Sequence, residues 1–284
     1  LTEADAVKIR AEDGRSVHGT DISLFINNLP DGRDTSSFTT EDASGSTSQA
    51  ANVAEAIEAG THALLIDEDT CATNFMIRDE LMQRVIHGED EPITPFLSRI
   101  GQIKEAGIST ILVAGSFGAY FNVSDTVIQM DRYRVLDITE KAKAEAEGYP
   151  AMEKSELPYH APDNKRIPAK PGRELLGDRI KTKTLGLDGF SVNHETVSLR
   201  YVEQIVDGGQ NAALCKALLM AAERMIDGRK TLTEIVDELE KRMEKGGADA
   251  LYSGRTPEAG LAVPRRQEIF ACLNRFRLLK INRI

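Results

Sequence analysis

The sequence predicts an α/β fold with a mostly parallel sheet, followed by a mostly helical C-terminal region. Three observations predict it. Short apolar runs end in acidic or glycine-containing turns, helical patterns separate those runs, and beyond a proline-rich basic stretch the alternation gives way to helices.

Taken in order, Gln49 to Ala59 is an alanine-rich helical pattern closed by Gly60. Ala63-Leu64-Leu65-Ile66 is apolar and breaks into Asp67-Glu68-Asp69, as a buried parallel strand does at its C-terminal end. One helix is predicted over roughly Phe75 to Ile86 and another from Pro95 to Ala106, closed by Gly107. Thr110-Ile111-Leu112-Val113-Ala114, followed by Gly115, is a second strand, and Thr126-Val127-Ile128-Gln129-Met130 a third.

From about Lys141 to Lys183 the pattern loosens. Pro150, Pro158, Pro162, Pro168 and Pro171 break any long helix, and Lys165, Arg166, Lys170, Arg173, Arg179, Lys181 and Lys183 make the stretch basic. Ala212 to Ile226 is then helical. Thr231 to Lys245 opens with the capping box Thr231-x-x-Glu234 and places Leu232, Ile235, Val236, Leu239 and Met243 on one face. Pro264 opens a last helix with Ile269, Leu273 and Phe276 inward. The expected division is residues 1–140, a basic linker at 141–185, and a helical accessory domain at 186–284.

Composition bounds the function. With 41% hydrophobic and 28% charged residues, the 284-residue chain is not a disordered one. It contains no apolar run of the ~18–20 residues that a membrane helix needs. The opening Leu1-Thr2-Glu3-Ala4-Asp5 has neither the basic nor the apolar part of a signal peptide. Cys71, Cys215 and Cys272 are odd in number and far apart, which suits a reducing compartment, so a cytoplasmic protein without a membrane partner is expected. The net charge of -10 is uneven: residues 1–150 hold 12 Lys and Arg against 26 Asp and Glu, and the remainder 23 against 19. The basic half is the candidate for a polyanion.

Four apolar residues ending in Asp67-Glu68 match the Walker B pattern, in which the strand-tip Asp holds Mg²⁺ and the next acid polarises the attacking water. Twenty-three residues before Asp67, Ser44-Gly45-Ser46-Thr47-Ser48-Gln49 is a small turn running into a helix, whose unpaired N–H groups and positive dipole end suit an anionic oxygen. Asp69-Thr70-Cys71-Ala72-Thr73-Asn74 follows the Walker B strand. Ser109 to Ser116 and Ser124-Asp125-Thr126-Val127-Ile128 come later in the same order as a switch strand and its sequel.

Together these residues resemble the predicted ATPases of the ABC class, which lack a transporter membrane domain. Ala6-Val7-Lys8-Ile9-Arg10-Ala11-Glu12-Asp13-Gly14-Arg15 and Glu91-Pro92-Ile93-Thr94-Pro95-Phe96 carry the same resemblance. It implies an ABC-type P-loop ATPase fold in residues 1–140, with ATP and Mg²⁺ as cofactors and hydrolysis across a homodimer. In that reading Asp67 holds the metal, Glu68 is the catalytic base, and Ser44, Gly45 and Ser46 cap the γ-phosphate on the opposite subunit. Asn74 lies near the dimer interface. Ser116 stands where the family places a histidine; it is either a hydrogen-bond donor to the phosphate or an ordinary turn serine.

No GxxxxGK[ST] occurs in the sequence, and the first methionine is Met76. The expectation is therefore a C-terminal portion of a longer ATPase, with the Walker A segment upstream and the truncated chain itself inactive. Arg265, Arg266, Arg275, Arg277, Lys280 and Arg283 accompany a single acid, Glu268. This helix either grips RNA or DNA backbone, or presents a solvated face or contacts the acidic first half. The rival to an ATPase that remodels a nucleic-acid or protein partner is a non-catalytic scaffold on a degenerate ATPase fold. A nuclease metal cluster at Asp67, Glu68 and Asp69 lacks a second acidic group, His62 stands alone, and no Gly-x-Ser-x-Gly elbow occurs.

Overall fold

The computed structural model describes residues 4–85, 91–149, 154–162, 165–172, 175, 180–252 and 260–282. Leu1 to Glu3, Ile86, Pro150, Arg173, Arg179 and Arg283, named above, lie outside the described residues.

The first half contains strands β1 (Val7–Ile9), β2 (Val17–Thr20) and β3 (Phe38–Thr40), then helix α1 (Gly45–Glu58) and strand β4 (Ala63–Asp67). Helices α2 (Thr73–Met76), α3 (Glu80–Val85) and α4 (Phe96–Glu105) follow, then β5 (Ser109–Val113), β6 (Ile128–Asp131), β7 (Arg134–Asp137) and α5 (Thr139–Ala146). The second half contains β8 (Ile167–Pro168), β9 (Thr182–Thr184), β10 (Gly189–Val192), β11 (Glu195–Ser198), α6 (Gly208–Met220), α7 (Leu232–Gly246), α8 (Arg266–Asn274) and β12 (Ile281–Asn282). A turn of π-helix, Ala221–Met225, extends α6.

The parallel sheet has the order β1-β4-β5, with Ile9 opposite Ile66 and Asp67 opposite Val113. Its strand β4 is the predicted Ala63–Ile66 run, and β5 the predicted second strand. The third parallel strand is β1. Thr126–Met130 does not join this sheet; its Ile128–Met130 portion lies in β6, which pairs antiparallel with β7 in a hairpin. The helix expected over 75–86 is two short pieces, because Ile77 is extended at φ -149° and ψ 155° and ends the first.

Helix α1 begins at the N-cap Ser44 and ends where Gly60 takes φ +81°. The Gly60 amide donates to Ile57 O and the Thr61 amide to Ala56 O, so a Schellman motif satisfies the last carbonyls. The helix's alanines, with Ala50 and Ala51 fully buried, let it pack closely on β1 and β2 on one side and α8 on the other.

One core joins Ile9, Leu64, Ile66 and the Phe25–Phe75–Phe96 trio, whose Phe25 and Phe75 centroids lie 4.9 Å apart. Each buried phenylalanine contributes roughly 1.5–3 kcal/mol. A second core gathers Phe190, Val197, Leu214, Ile235, Leu239 and Phe270. The capping box of α7 forms as predicted: the Glu234 amide donates to Thr231 Oγ1 and the Thr231 amide to the Glu234 carboxylate.

One feature of the second half differs from expectation: it opens with a three-stranded antiparallel sheet, β11-β10-β9, before its helices begin. Within residues 141–185, β8 pairs with β12 and Arg166 is buried. No described helix is long and apolar enough to cross a membrane.

Candidate nucleotide site

In a parallel sheet the ligand-binding edge is the one formed by the loops after the strands' C-terminal ends. Strand β4 is central and delivers Asp67 to that edge, with Glu68 opening the 3₁₀ turn Glu68–Thr70 immediately after it. Both acids are half-buried. Asp67 caps the turn, its Oδ1 accepting from the Asp69 amide at 3.3 Å. Glu68 Oε2 accepts from two backbone amides, Gly115 N at 2.8 Å and Ser116 N at 3.1 Å. The register explains the meeting: Asp67 pairs with Val113, so the turn that leaves β5 passes directly over Glu68. Ser116 therefore reaches Glu68 through its main chain, and its side chain is exposed.

Tyr120, on the following 3₁₀ turn Gly118–Asn122, is buried with its hydroxyl unpartnered. Burial first, then the charges of Glu68 and Cys71, push its phenol well above the usual range. Cys71 is also pushed up, to about 11, chiefly by burial, so its thiol stays protonated and inert at neutral pH.

Ser44 is exposed and caps α1, accepting from the Thr47 amide at 3.5 Å. The first turn of α1 carries no acid, so its positive dipole end is uncompensated from within the helix. Gly45 sits closely against its neighbours: a Cβ there would lie 3.2 Å from Asp13 Oδ1, which would have to shift slightly, and 3.6 Å from both Ala11 and Ala72. Gln49 ties this turn to the segment after β4, its Oε1 accepting from the Ala72 amide at 2.8 Å. Asn74 sits nearby on α2, exposed.

The structure thus groups the predicted residues in two clusters. Ser44, Gly45 and Ser46 sit with the Cys71–Asn74 segment, whereas Asp67 and Glu68 sit with Gly115 and Ser116. One backbone hydrogen bond joins the two clusters, the Cys71 amide donating to Glu68 O at 3.1 Å. Sequence reasoning missed Tyr120, for which there was no signal, and the bridging role of Gln49, which was visible only as part of the motif. Among the described residues no three His, Cys, Asp or Glu side chains gather as a metal site. One strand-tip carboxylate does fit Mg²⁺ arriving with nucleotide, since that ion typically uses one or two carboxylates plus phosphates and water.

The arginines of the C-terminal helix region are largely occupied. Arg265 donates to Ala4 O and the Glu268 carboxylate, Arg266 to Asp237 and Glu240, Arg275 to Glu12, and Arg277 to Gly14 O and Glu41. Arg266 Nε also donates to Ala59 O at 3.0 Å, so all four contact the first half of the chain.

A central parallel strand ending in Asp-Glu, beside a Ser-Gly-Ser helix start, is the arrangement expected above for a nucleotide-binding ATPase of the P-loop type. Residues 1–165 match the family model ABC_ATPase, described as its P-loop domain, and the chain belongs to that family. Residues 181–282 match the model of the MRB1590 C-terminal domain. No curated protein matches the chain.

Proposed function

We propose that this chain supplies the signature and Walker B parts of an ATPase that hydrolyses ATP across a homodimer interface. The observation that carries the reading is Glu68, held at the end of the central strand by the Gly115 and Ser116 amides. One carboxylate oxygen is engaged and the other is available to orient a water. Asp67 would hold Mg²⁺, which supplies charge neutralisation on the phosphates. Ser44, Gly45 and Ser46 would contact the γ-phosphate bound to the partner subunit, with Asn74 near the interface. Residues 1–140 form the ATPase domain in this reading, 141–185 the linker and 186–284 the accessory domain.

The phosphate cradle is assigned to a segment outside the 284 residues, since they contain no GxxxxGK[ST]. Among the described residues β5 is an edge strand of the parallel sheet, where a further strand could pair. Ile111 and Val113 are 58% and 65% exposed on one face of β5, whereas strands of parallel sheets are ordinarily covered on both faces. Calorimetry tests this: the chain alone should give no heat with ATP and Mg²⁺, and joining a P-loop segment should give micromolar binding. Micromolar affinity in the chain alone would contradict the assignment.

The work of hydrolysis goes to a nucleic-acid or protein partner in the cytoplasm. With the C-terminal arginines engaged, a bound RNA or DNA would meet exposed cations such as Lys181 and Lys183 on the β9 side. The second reading, a non-catalytic scaffold, is favoured by one observation: Gly115-Ser116 stands where the family carries a histidine.

A further inference from the structure

Helix α1 carries a polar stripe on one buried face: Ser48, Asn52, Glu55 and Glu58 recur at helical spacing and are all under one-tenth exposed. Every member is bonded across that face. The Glu12 amide donates to Ser48 Oγ at 2.8 Å, and Ser48 Oγ donates onward to Gly45 O at 2.8 Å. Arg15 grips both Glu55 oxygens at 2.7 Å, and Asn52 Oδ1 accepts from Arg15 and from Arg275. Arg275, at the end of α8, also holds Glu12 with contacts of 2.5 and 3.1 Å. Arg166 pairs with Glu58 and reaches His18 O, Thr20 Oγ1 and Asn274 Oδ1.

We propose that Arg275 is a positioning residue for the Ser44–Ser46 turn, so that the C-terminal domain sets where that turn stands. The path is short: Arg275 to the Glu12 carboxylate, the Glu12 amide to Ser48 Oγ, and Ser48 Oγ to Gly45 O. Buried ion pairs add little stability over apolar packing, but their hydrogen-bond geometry fixes orientation. A partner that shifts α8 therefore moves the helix start that faces phosphate. The junction also has room for a second arrangement. A cavity of about 30 Å³ lies beside Asn52, Asn274 and Arg275, and Asn274 Nδ2 lacks a partner. The significance of this coupling rests on the γ-phosphate role given above to Ser44–Ser46, but its test does not.

Hydrogen exchange on the 284-residue chain without nucleotide reads the coupling directly. In Arg275→Met, the amides of Glu12 and Ser48–Ala51 should exchange at least tenfold faster, while those of Leu64–Ile66 in β4 stay within twofold. The double variant E12Q/R275M, which leaves no unpaired charge but still lacks the link, should keep the α1 amides at least fivefold faster than in the parent. Arg275→Lys, which keeps the cation but loses the two-pronged grip, should show the same pattern at smaller size and serves if R275M does not fold. Unchanged α1 amides, acceleration shared equally by β4, or a double variant back at the parent rate would overturn the proposal. Any of these outcomes leaves the catalytic reading of Glu68 standing, because no nucleotide enters the measurement.

Discussion

Two groups of charged residues in this molecule have opposite characters. At the end of β4, Asp67 and Glu68 are half-buried and make a few bonds to backbone amides, and among the described residues no cation pairs with them. Between α1 and the second half, Glu12, Arg15, Glu55, Glu58 and Arg166 are buried, Arg275 is half-buried, and all six are mutually paired. Saturated bonding marks charges that hold structure, whereas spare bonding capacity at a sheet edge marks charges placed for a ligand. Burial also changes the acids themselves. Desolvation alone would raise Glu12, but the charges of Arg275 and Arg15 and the hydrogen bonds from Arg275 and Asn52 outweigh it and hold its carboxyl below the usual range.

The largest stability effect should therefore come from the junction. Glu58→Ala leaves Arg166 buried without its main counter-charge and should cost about 3–5 kcal/mol in urea denaturation. A loss below about 1 kcal/mol would place the pair outside the folded core's requirements. Next in size is acid sensitivity. His18 is buried, and desolvation chiefly, with Arg15 and Arg166, lowers its affinity for a proton against the opposing pull of Glu41 and Glu55. Below its ordinary value of 6.5 the unfolded chain takes up a proton that the folded one resists, so stability should fall as pH drops under 6.5. Glu12 adds a second decline below 4.5, where its carboxylate is protonated more readily in the unfolded chain. Thermal melts of the parent and His18→Gln between pH 7 and 5 check this, and the variant should show the flatter profile. Smallest is Ser44→Ala, which removes an exposed cap and should cost about 1 kcal/mol. A loss as large as that of Glu58→Ala would erase the contrast between site and junction.

Much of this architecture was legible because it is local. The apolar run 63–66 breaking into acids marks β4, Gly60 and Gly107 mark helix ends, and Thr231 with Glu234 marks the start of α7. Strand β1 escaped because three residues with Lys8 among them show no apolar run. The β6–β7 hairpin escaped because its turn places Arg132 and Tyr133, not Gly or Asn, at φ of 45° and 67°. The candidate site is sequence-local too, since Asp67 and Glu68 are adjacent and Ser44–Ser46 open one helix. The junction is not: Glu58 meets Arg166 across 108 residues, and Glu12 meets Arg275 across 263. A basic C-terminal helix read alone suggests a polyanion, whereas the fold turns most of its arginines toward the acidic first half.

The central claim is that Glu68 is placed for chemistry and not for structure. Glu68→Gln keeps the shape and an oxygen that can still accept from Gly115 and Ser116, so its stability should stay within about 0.5 kcal/mol of the parent. In the chain joined to its P-loop segment, single-turnover ATP hydrolysis should fall by roughly 10²–10⁴-fold with ATP affinity unchanged. Hydrolysis at the parent rate in that variant would contradict the account and favour the scaffold.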